Sequence, residues 1–328
     1  MNQYISIIMY HYVRNIKHSR YPDIKGLDID LFKEQIAYIK KHYNVISAYD
    51  LMDAIKSNAQ LPPKSLLLTF DDAYIDHFTY VFPVLDDQKL SGLFFPPAKS
   101  ILKHQVLDVN KIHFILASVD QKKDLVNDIF KYLNENRSTY KLDTNEYYWK
   151  KLGVKYRFDT EEIIFIKRIL QRELPESLRK IITDDLFNKY VTNDEVAFSQ
   201  ELYMSVDQVA HLQRNGMYIG SHGFDHYWLN TINKNEQVKE IDLSLQFLES
   251  IGSNINHWIM CYPYGAYNNS LLIILKKRGC VVGLTTNIGM ADLKKDNPLI
   301  LPRLDTNDLP KNSNANPNEW TRKAMGGN

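Results

Sequence analysis

The sequence predicts an α/β fold built on a parallel sheet. Three observations carry this. Four short apolar runs, Ile5–Met9, Leu66–Phe70, Leu93–Phe95 and Ile259–Cys261, do not alternate polar with apolar, the pattern of strands covered on both faces. Segments of helical periodicity lie between them. Carboxylates and histidines follow the strand-like runs directly, as they do where sites form at the C-terminal ends of parallel strands.

The elements follow in order. Ile5–Met9 opens the chain and ends at Tyr10-His11. Leu31, Ile36, Ile39 and Tyr43 share one helical face. Leu66–Phe70 leads into Asp71-Asp72, and Leu93–Phe95 into Pro96. The rhythm then breaks. From about Lys103 to Glu201 the chain is rich in Lys, Asp, Glu, Asn and Tyr and carries little strand signal. Leu125, Ile129, Tyr132 and Leu133 fall on one helical face; Ile163, Ile164, Ile166, Ile169 and Leu170 make another. Residues 103–201 are therefore expected to form a mostly helical insertion. Beyond it, Ser205 with Gln208 reads as a capping box opening the Val206-Val209-Leu212 helix. Met217–Gly220 is strand-like. Asn233 with Glu236 starts a helix through Val238, Ile241, Leu245 and Leu248, and Leu271–Lys277 forms another, ended by Gly279. The stretch 311–328 is poor in apolar residues and ends in Gly-Gly-Asn, so a loose tail is expected there.

Composition narrows the function. With 40 Lys plus Arg against 39 Asp plus Glu, there is no basic excess to neutralise phosphates, so a nucleic-acid partner is not expected. No segment reaches 18 apolar residues, so no membrane span is expected. The short run Ile5–Met9 lacks the basic start and cleavage site of a signal peptide, so the expected location is cytoplasmic. The cysteines, Cys261 and Cys280, are expected as buried thiols without a disulfide framework. Oligomeric state has no signal.

Several constellations carry chemistry. Thr69-Phe70-Asp71-Asp72 puts two carboxylates at the end of a buried strand, where they are costly unless paired. Taken alone the pair also reads as a helix cap. Ser221-His222-Gly223-Phe224-Asp225-His226 places two histidines four residues apart, able to converge on one ion with a carboxylate from elsewhere. Alone it also reads as a solvated pair. Cys261-Tyr262-Pro263-Tyr264-Gly265 turns sharply and can offer a backbone N–H to an oxyanion, or be an ordinary loop. Leu301-Pro302-Arg303-Leu304-Asp305 and Met9-Tyr10-His11 complete the set.

In this order the motifs resemble the polysaccharide deacetylase family, carbohydrate esterases related to chitooligosaccharide and peptidoglycan deacetylases. The resemblance rests on Tyr10-His11, on Thr69 to Asp72 with Tyr74 and Pro83, on Phe94-Phe95-Pro96, on His222 to His226, on Tyr262 to Gly265 and on Leu301-Pro302-Arg303. It covers roughly residues 1–100 and 203–310. It implies a distorted, incomplete (β/α) TIM-like barrel over 1–310, interrupted by the insertion. It also implies a divalent metal ion, commonly zinc, on Asp72, His222 and His226, with Asp71 as general base and the Tyr264 backbone N–H in the oxyanion hole.

Two departures follow. Family members often carry an arginine at the start of the Pro-Tyr motif; here that region reads Met260-Cys261-Tyr262, and Arg303 is the candidate to orient Asp71. The family's late Leu-x-His acid is missing, and His257 precedes its strand, so His11 is the candidate acid. The related biofilm-polysaccharide deacetylases also carry a Tyr-His at this point. Tyr262, Pro263, Tyr227 and Trp228 are the candidate substrate contacts. The expected function is metal-dependent hydrolysis of an N-acyl amide, N-acetyl first, on an amino sugar or saccharide. The alternatives are a deacylase of a cytoplasmic or lipid-linked sugar intermediate, N-formyl included, and a catalytically weak glycan-binding protein.

Overall fold

The structure is a computed structural model and describes residues 4–57, 59–155 and 159–326. It divides into two compact units. The first comprises residues up to Asn15, Gly26–Gln105 and Ser199 onwards; the second comprises Ile16–Lys25 and Val106–Phe198.

The first unit is built on parallel strands β1 (Tyr4–Tyr10), β2 (Ser65–Asp71), β3 (Leu93–Phe95), β4 (Tyr218–Ile219), β5 (Trp258–Cys261), β6 (Cys280–Ile288) and β7 (Leu301–Asp305). Their order is β4-β3-β2-β1-β7-β6-β5, so the first and last strands are neighbours at the centre. The register Ile8↔Leu68 and Ile8↔Leu304 aligns three consecutive strand ends. The edges β4 and β5 meet beyond β4 through a bridge between Ser221 and Met260. Ser221 N–H donates to Ile259 O (3.0 Å) and Cys261 N–H to Ser221 O (2.8 Å), closing a distorted barrel at one seam.

Period-two alternation splits each strand between two cores. Ile5, Ile7, Leu67, Leu93, Phe95, Ile259, Cys261, Val282, Leu284 and Leu301 pack into the barrel interior. Ile8, Tyr10, Leu66, Leu68, Phe70 and Phe94 pack outward against helix α1 (Ile29–His42) through Phe32, Ile36 and Ile39. Helices α2 (Ala98–Lys103), α3 (Val206–Arg214), α4 (Lys234–Ser250) and α5 (Asn269–Lys277) follow later strands. Both capping boxes form, at Ser205/Gln208 and Asn233/Glu236. Gly279 takes φ +78° just past α5. Two strands carried no strand signal in the sequence reading. β6 ends in exposed Thr286 to Ile288, and β7 contains Pro302, whose missing N–H weakens the pattern.

The described part of the tail is a correction. It folds into α6 (Glu319–Ala324), whose buried Thr321 lies 2.8 Å from Tyr38 Oη and accepts from Tyr43 O–H (3.0 Å). Trp320 and Ala324 pack on the outer core. Gly327 and Asn328 lie outside the described residues.

The second unit is helical: Asp108–Ser118, Lys122–Tyr140, Asn145–Leu152, Glu161–Arg168 and Glu176–Tyr190. Leu125, Ile129 and Leu133 are buried as their spacing predicts, as are Ile164, Ile166, Ile169 and Leu170. The short segment Ile16–Lys25 joins this unit, with Tyr21 edge-on to Phe114 at 4.9 Å. Nothing in its composition marks that.

Candidate active site

The interior parity of the strands aims the first group of side chains. Leu67 faces the barrel interior, so Thr69 and Asp71 do too; Leu301 carries Arg303 there, and Ile5 and Ile7 carry His11. Arg303 is fully buried and grips Asp71 with two parallel bonds, Nη1 to Oδ1 (3.0 Å) and Nη2 to Oδ2 (2.8 Å). Nη1 also donates to Thr69 Oγ1 (3.1 Å) and Nε to Thr285 O (2.8 Å). Thr69 O–H donates onward to Ile8 O (2.7 Å). Burial opposes ionisation of Asp71, but the guanidinium outweighs it and holds the carboxyl at about 2.

Asp72 is built differently. It and Ala73 take left-handed φ of +73° and +56°. Such residues cost about 1–3 kcal/mol each, and here they turn the chain sharply, so that adjacent carboxylates enter different surroundings. Tyr74 O–H donates to Asp72 Oδ2 (2.7 Å). Asp72 Oδ1 is buried without a hydrogen-bond donor, 3.3 Å from His222 Nε2 and 3.4 Å from His226 Nε2. Those two nitrogens are 3.2 Å apart. Burial opposes ionisation of Asp72 as well, but the two imidazoles hold it well below the usual carboxylate range.

His222 Nδ1 lies 2.8 Å from the carbonyl of Cys261, which can only accept. Nδ1 therefore carries a proton, and Nε2 is the ring nitrogen turned toward Asp72; burial opposes the charged ring, but Cys261 and Asp72 hold its proton affinity well above the ordinary value. A carboxylate oxygen and two imidazole nitrogens thus converge on one point, where a cation can take the place of protons. That donor set fits a divalent cation of the zinc type, with positions left for water. A second grouping, Asp71, His222 and Cys261, fits less well. Both Asp71 oxygens are taken by Arg303, and burial pushes the Cys261 thiol up.

The remaining expectations divide. His11 has a side chain 42% exposed, with Nε2 3.9 Å from Asp71 Oδ2. Its carbonyl lies 2.8 Å from His77 Nε2. Tyr264 has φ +57° and is followed by Gly265 at φ +69°, where an added Cβ would lie 2.3 Å from Thr286 Oγ1. The Tyr264 ring meets His226 edge-on at 4.7 Å and Trp228 in a flat stack at 4.3 Å. Trp228 therefore has one face already covered. Tyr227 packs beside the Leu229, Trp258 and Met260 cluster. Tyr262 is a correction: it is fully buried, and its hydroxyl donates to Leu299 O (2.7 Å), leaving no face for a sugar ring. Pro263 is buried as well. His257 is exposed just before β5, away from the C-terminal strand ends.

Comparison with known proteins adds to this geometry. The family model for polysaccharide deacetylase matches residues 186–283. A curated Bacillus subtilis protein, YxkH, whose name places it provisionally in the same family, is 29% identical over 89 residues. That match spans 27% of this chain and 32% of YxkH. Across nearly the whole chain the fold is shared with solved structures. Deacetylase PplD of Streptococcus pyogenes in complex with acetate superposes with TM-score 0.58 at 17% identity, covering 94% of each chain. IcaB from Ammonifex degensii gives 0.55 at 16%, covering 99% of this chain and 97% of its own. Residues 186–283 are thus similar to polysaccharide deacetylases, and the fold is the one these deacetylase structures share.

Sequence reasoning named the residues that the structure brings together, Asp72 with His222 and His226, and Asp71 with Arg303. It missed Thr69, Thr285 and Tyr74 as supports of the two aspartates. The parity of Leu67, Thr69 and Asp71 marks the first; Thr285 and the Cys261 carbonyl act through backbone oxygens, which no sequence pattern records.

Proposed function

We propose that the chain is a metal-dependent carbohydrate N-deacylase, removing an acetyl group from an amino sugar. The observation that carries this reading is the convergence of Asp72, His222 and His226 beside a separate carboxylate locked by arginine. The PplD structure holds acetate, the product such a reaction releases.

The roles divide by environment. Asp72, His222 and His226 would hold a divalent ion. A bound divalent ion, zinc first, supplies acidity to a water and polarises the acyl carbonyl. Asp71, kept ionised and oriented by Arg303, accepts the proton of that water. The Tyr264 backbone N–H, at a turn braced by His226 and Trp228, serves the developing oxyanion. His11, in reach of Asp71 and open to solvent, delivers the proton to the departing amine. Arg303 grips Asp71 although the Met260-Cys261-Tyr262 stretch offers no arginine, which favours an enzyme over a glycan binder.

The test is release of acetate from penta-N-acetyl-chitopentaose, with N-formyl glucosamine as the competing substrate, alongside metal analysis of the purified chain. Activity that survives exhaustive chelation in a chain free of divalent ions overturns the reading. A preference for the formyl substrate selects the alternative acyl group.

A further inference from the structure

We propose that Glu240 on α4 is the positioning residue of the His222–His226 loop, an inference that rests on the metal reading above. Buried Glu240 Oε2 accepts two backbone N–H groups of that loop, Phe224 (3.1 Å) and Asp225 (2.9 Å). Both lie between the two histidines. The loop needs holding, because Gly223 (φ +74°) and His226 (φ +56°) are both left-handed. In that conformation its amides cannot enter a helix or a ladder, so another acceptor must satisfy them.

Glu240 does not act alone. Ser244, one turn later, lies 2.5 Å from Ser221 Oγ, which accepts from Gly223 N–H (3.1 Å). Gln237, one turn earlier, donates to Leu229 O (2.7 Å) and to Asn268 Oδ1 (3.1 Å). Spacings of three and four put these polar residues on one buried side of α4, where periodicity would otherwise demand apolar side chains. Together they hold the chain from Ser221 to Leu229. From the other direction the start of α2 holds the loop's carbonyls: Ala98 N–H donates to Gly223 O (3.4 Å) and Lys99 N–H to Phe224 O (2.9 Å), while the Lys99 side chain pairs with Asp225. Amides on one side and carbonyls on the other fix the loop, so the directions of His222 and His226 are set before an ion arrives.

Partners that orient metal ligands typically cost about 10–100-fold in affinity when removed. The experiment titrates zinc(II) into the metal-free full chain against a chromophoric chelator, with thermal melting of each metal-free variant. Glu240→Ala is expected to weaken zinc within that range. Glu240→Gln keeps one acceptor oxygen and is expected to stay within about threefold of wild type. If Glu240→Ala does not fold, Glu240→Met replaces it, filling similar volume without an acceptor. Wild-type affinity in the acceptor-free variant overturns the proposal, as does a Gln variant as weak as the Ala variant, since then charge and not the two hydrogen bonds is at work. Failure of the wild type itself to bind zinc is a different outcome, and it overturns the metal reading instead.

Discussion

Among the described residues each unit buries one long cation, and the two are handled in opposite ways. In the barrel, Arg303 and its partner Asp71 have side chains 0% and 2% exposed. In the helical unit, Lys111 is equally buried at 2%, but its partners Asp184 (2.6 Å) and Glu195 (3.0 Å) are each about one-third exposed. Water still solvates the carboxylates around Lys111, so that cluster has an escape. Asp71 has none, and Arg303 is the main group that keeps it charged. A charge held that way adds little net stability over an apolar pair. It makes sense where the charge itself is used.

Replacing Asp71 by Asn should have the largest effect, a loss of roughly 10²–10⁴-fold in deacylation, the usual size of a lost proton acceptor, with zinc still bound. Turnover and metal content measured together check this. Activity near wild type would break the distinction between the two charge pairs.

Next in size is Arg303→Met, which strands Asp71 without a partner and should destabilise by about 3–5 kcal/mol in urea unfolding. Adding Asp71→Asn should recover much of that. Lys111→Met is the matched control. Its carboxylates can turn to water, so the expected cost is about 1 kcal/mol, near that of an exposed pair. Equal costs at the two sites would show that exposure of the carboxylates does not matter.

A further effect depends on pH. His77 is buried with one face toward Phe70, and burial pushes its imidazole down to about 4. That lies below its ordinary value near 6.5, so the unfolded chain binds the extra proton first. The stability this supplies is complete above pH 6.5 and declines as pH falls toward 4, by at most about 3 kcal/mol. In His77→Phe the slope of unfolding free energy over that window should be shallower than in wild type. An unchanged slope would assign the acid sensitivity to other groups.

Legibility in the sequence followed the same division. The strands bearing Leu66–Phe70 and Leu93–Phe95 were readable because both of their faces are covered, and that leaves an unbroken apolar run. The carboxylates were readable because they sit where the first of those runs ends, and the histidines because they follow strand-like Met217–Gly220. β6 was hidden because its last residues reach solvent, and the tail helix because its one fully buried residue is a threonine under two tyrosines. Tyr262 was misread because a motif position states which residue is present and not which way it points. The supports of the histidine loop were hidden because α4 was read for its apolar face alone.

The pairing of β1 with β7 also orders events in time. Asp71 leaves the ribosome more than two hundred residues ahead of Arg303. Until the arginine arrives, closing the barrel around that carboxylate would strand its charge, so the nascent chain has reason to stay open there. The last strand then delivers both the missing neighbour of the first and the counter-charge of the site. Completion of the barrel and arming of the carboxylate become a single late step, and a chain cut short before Leu301 would lose both together.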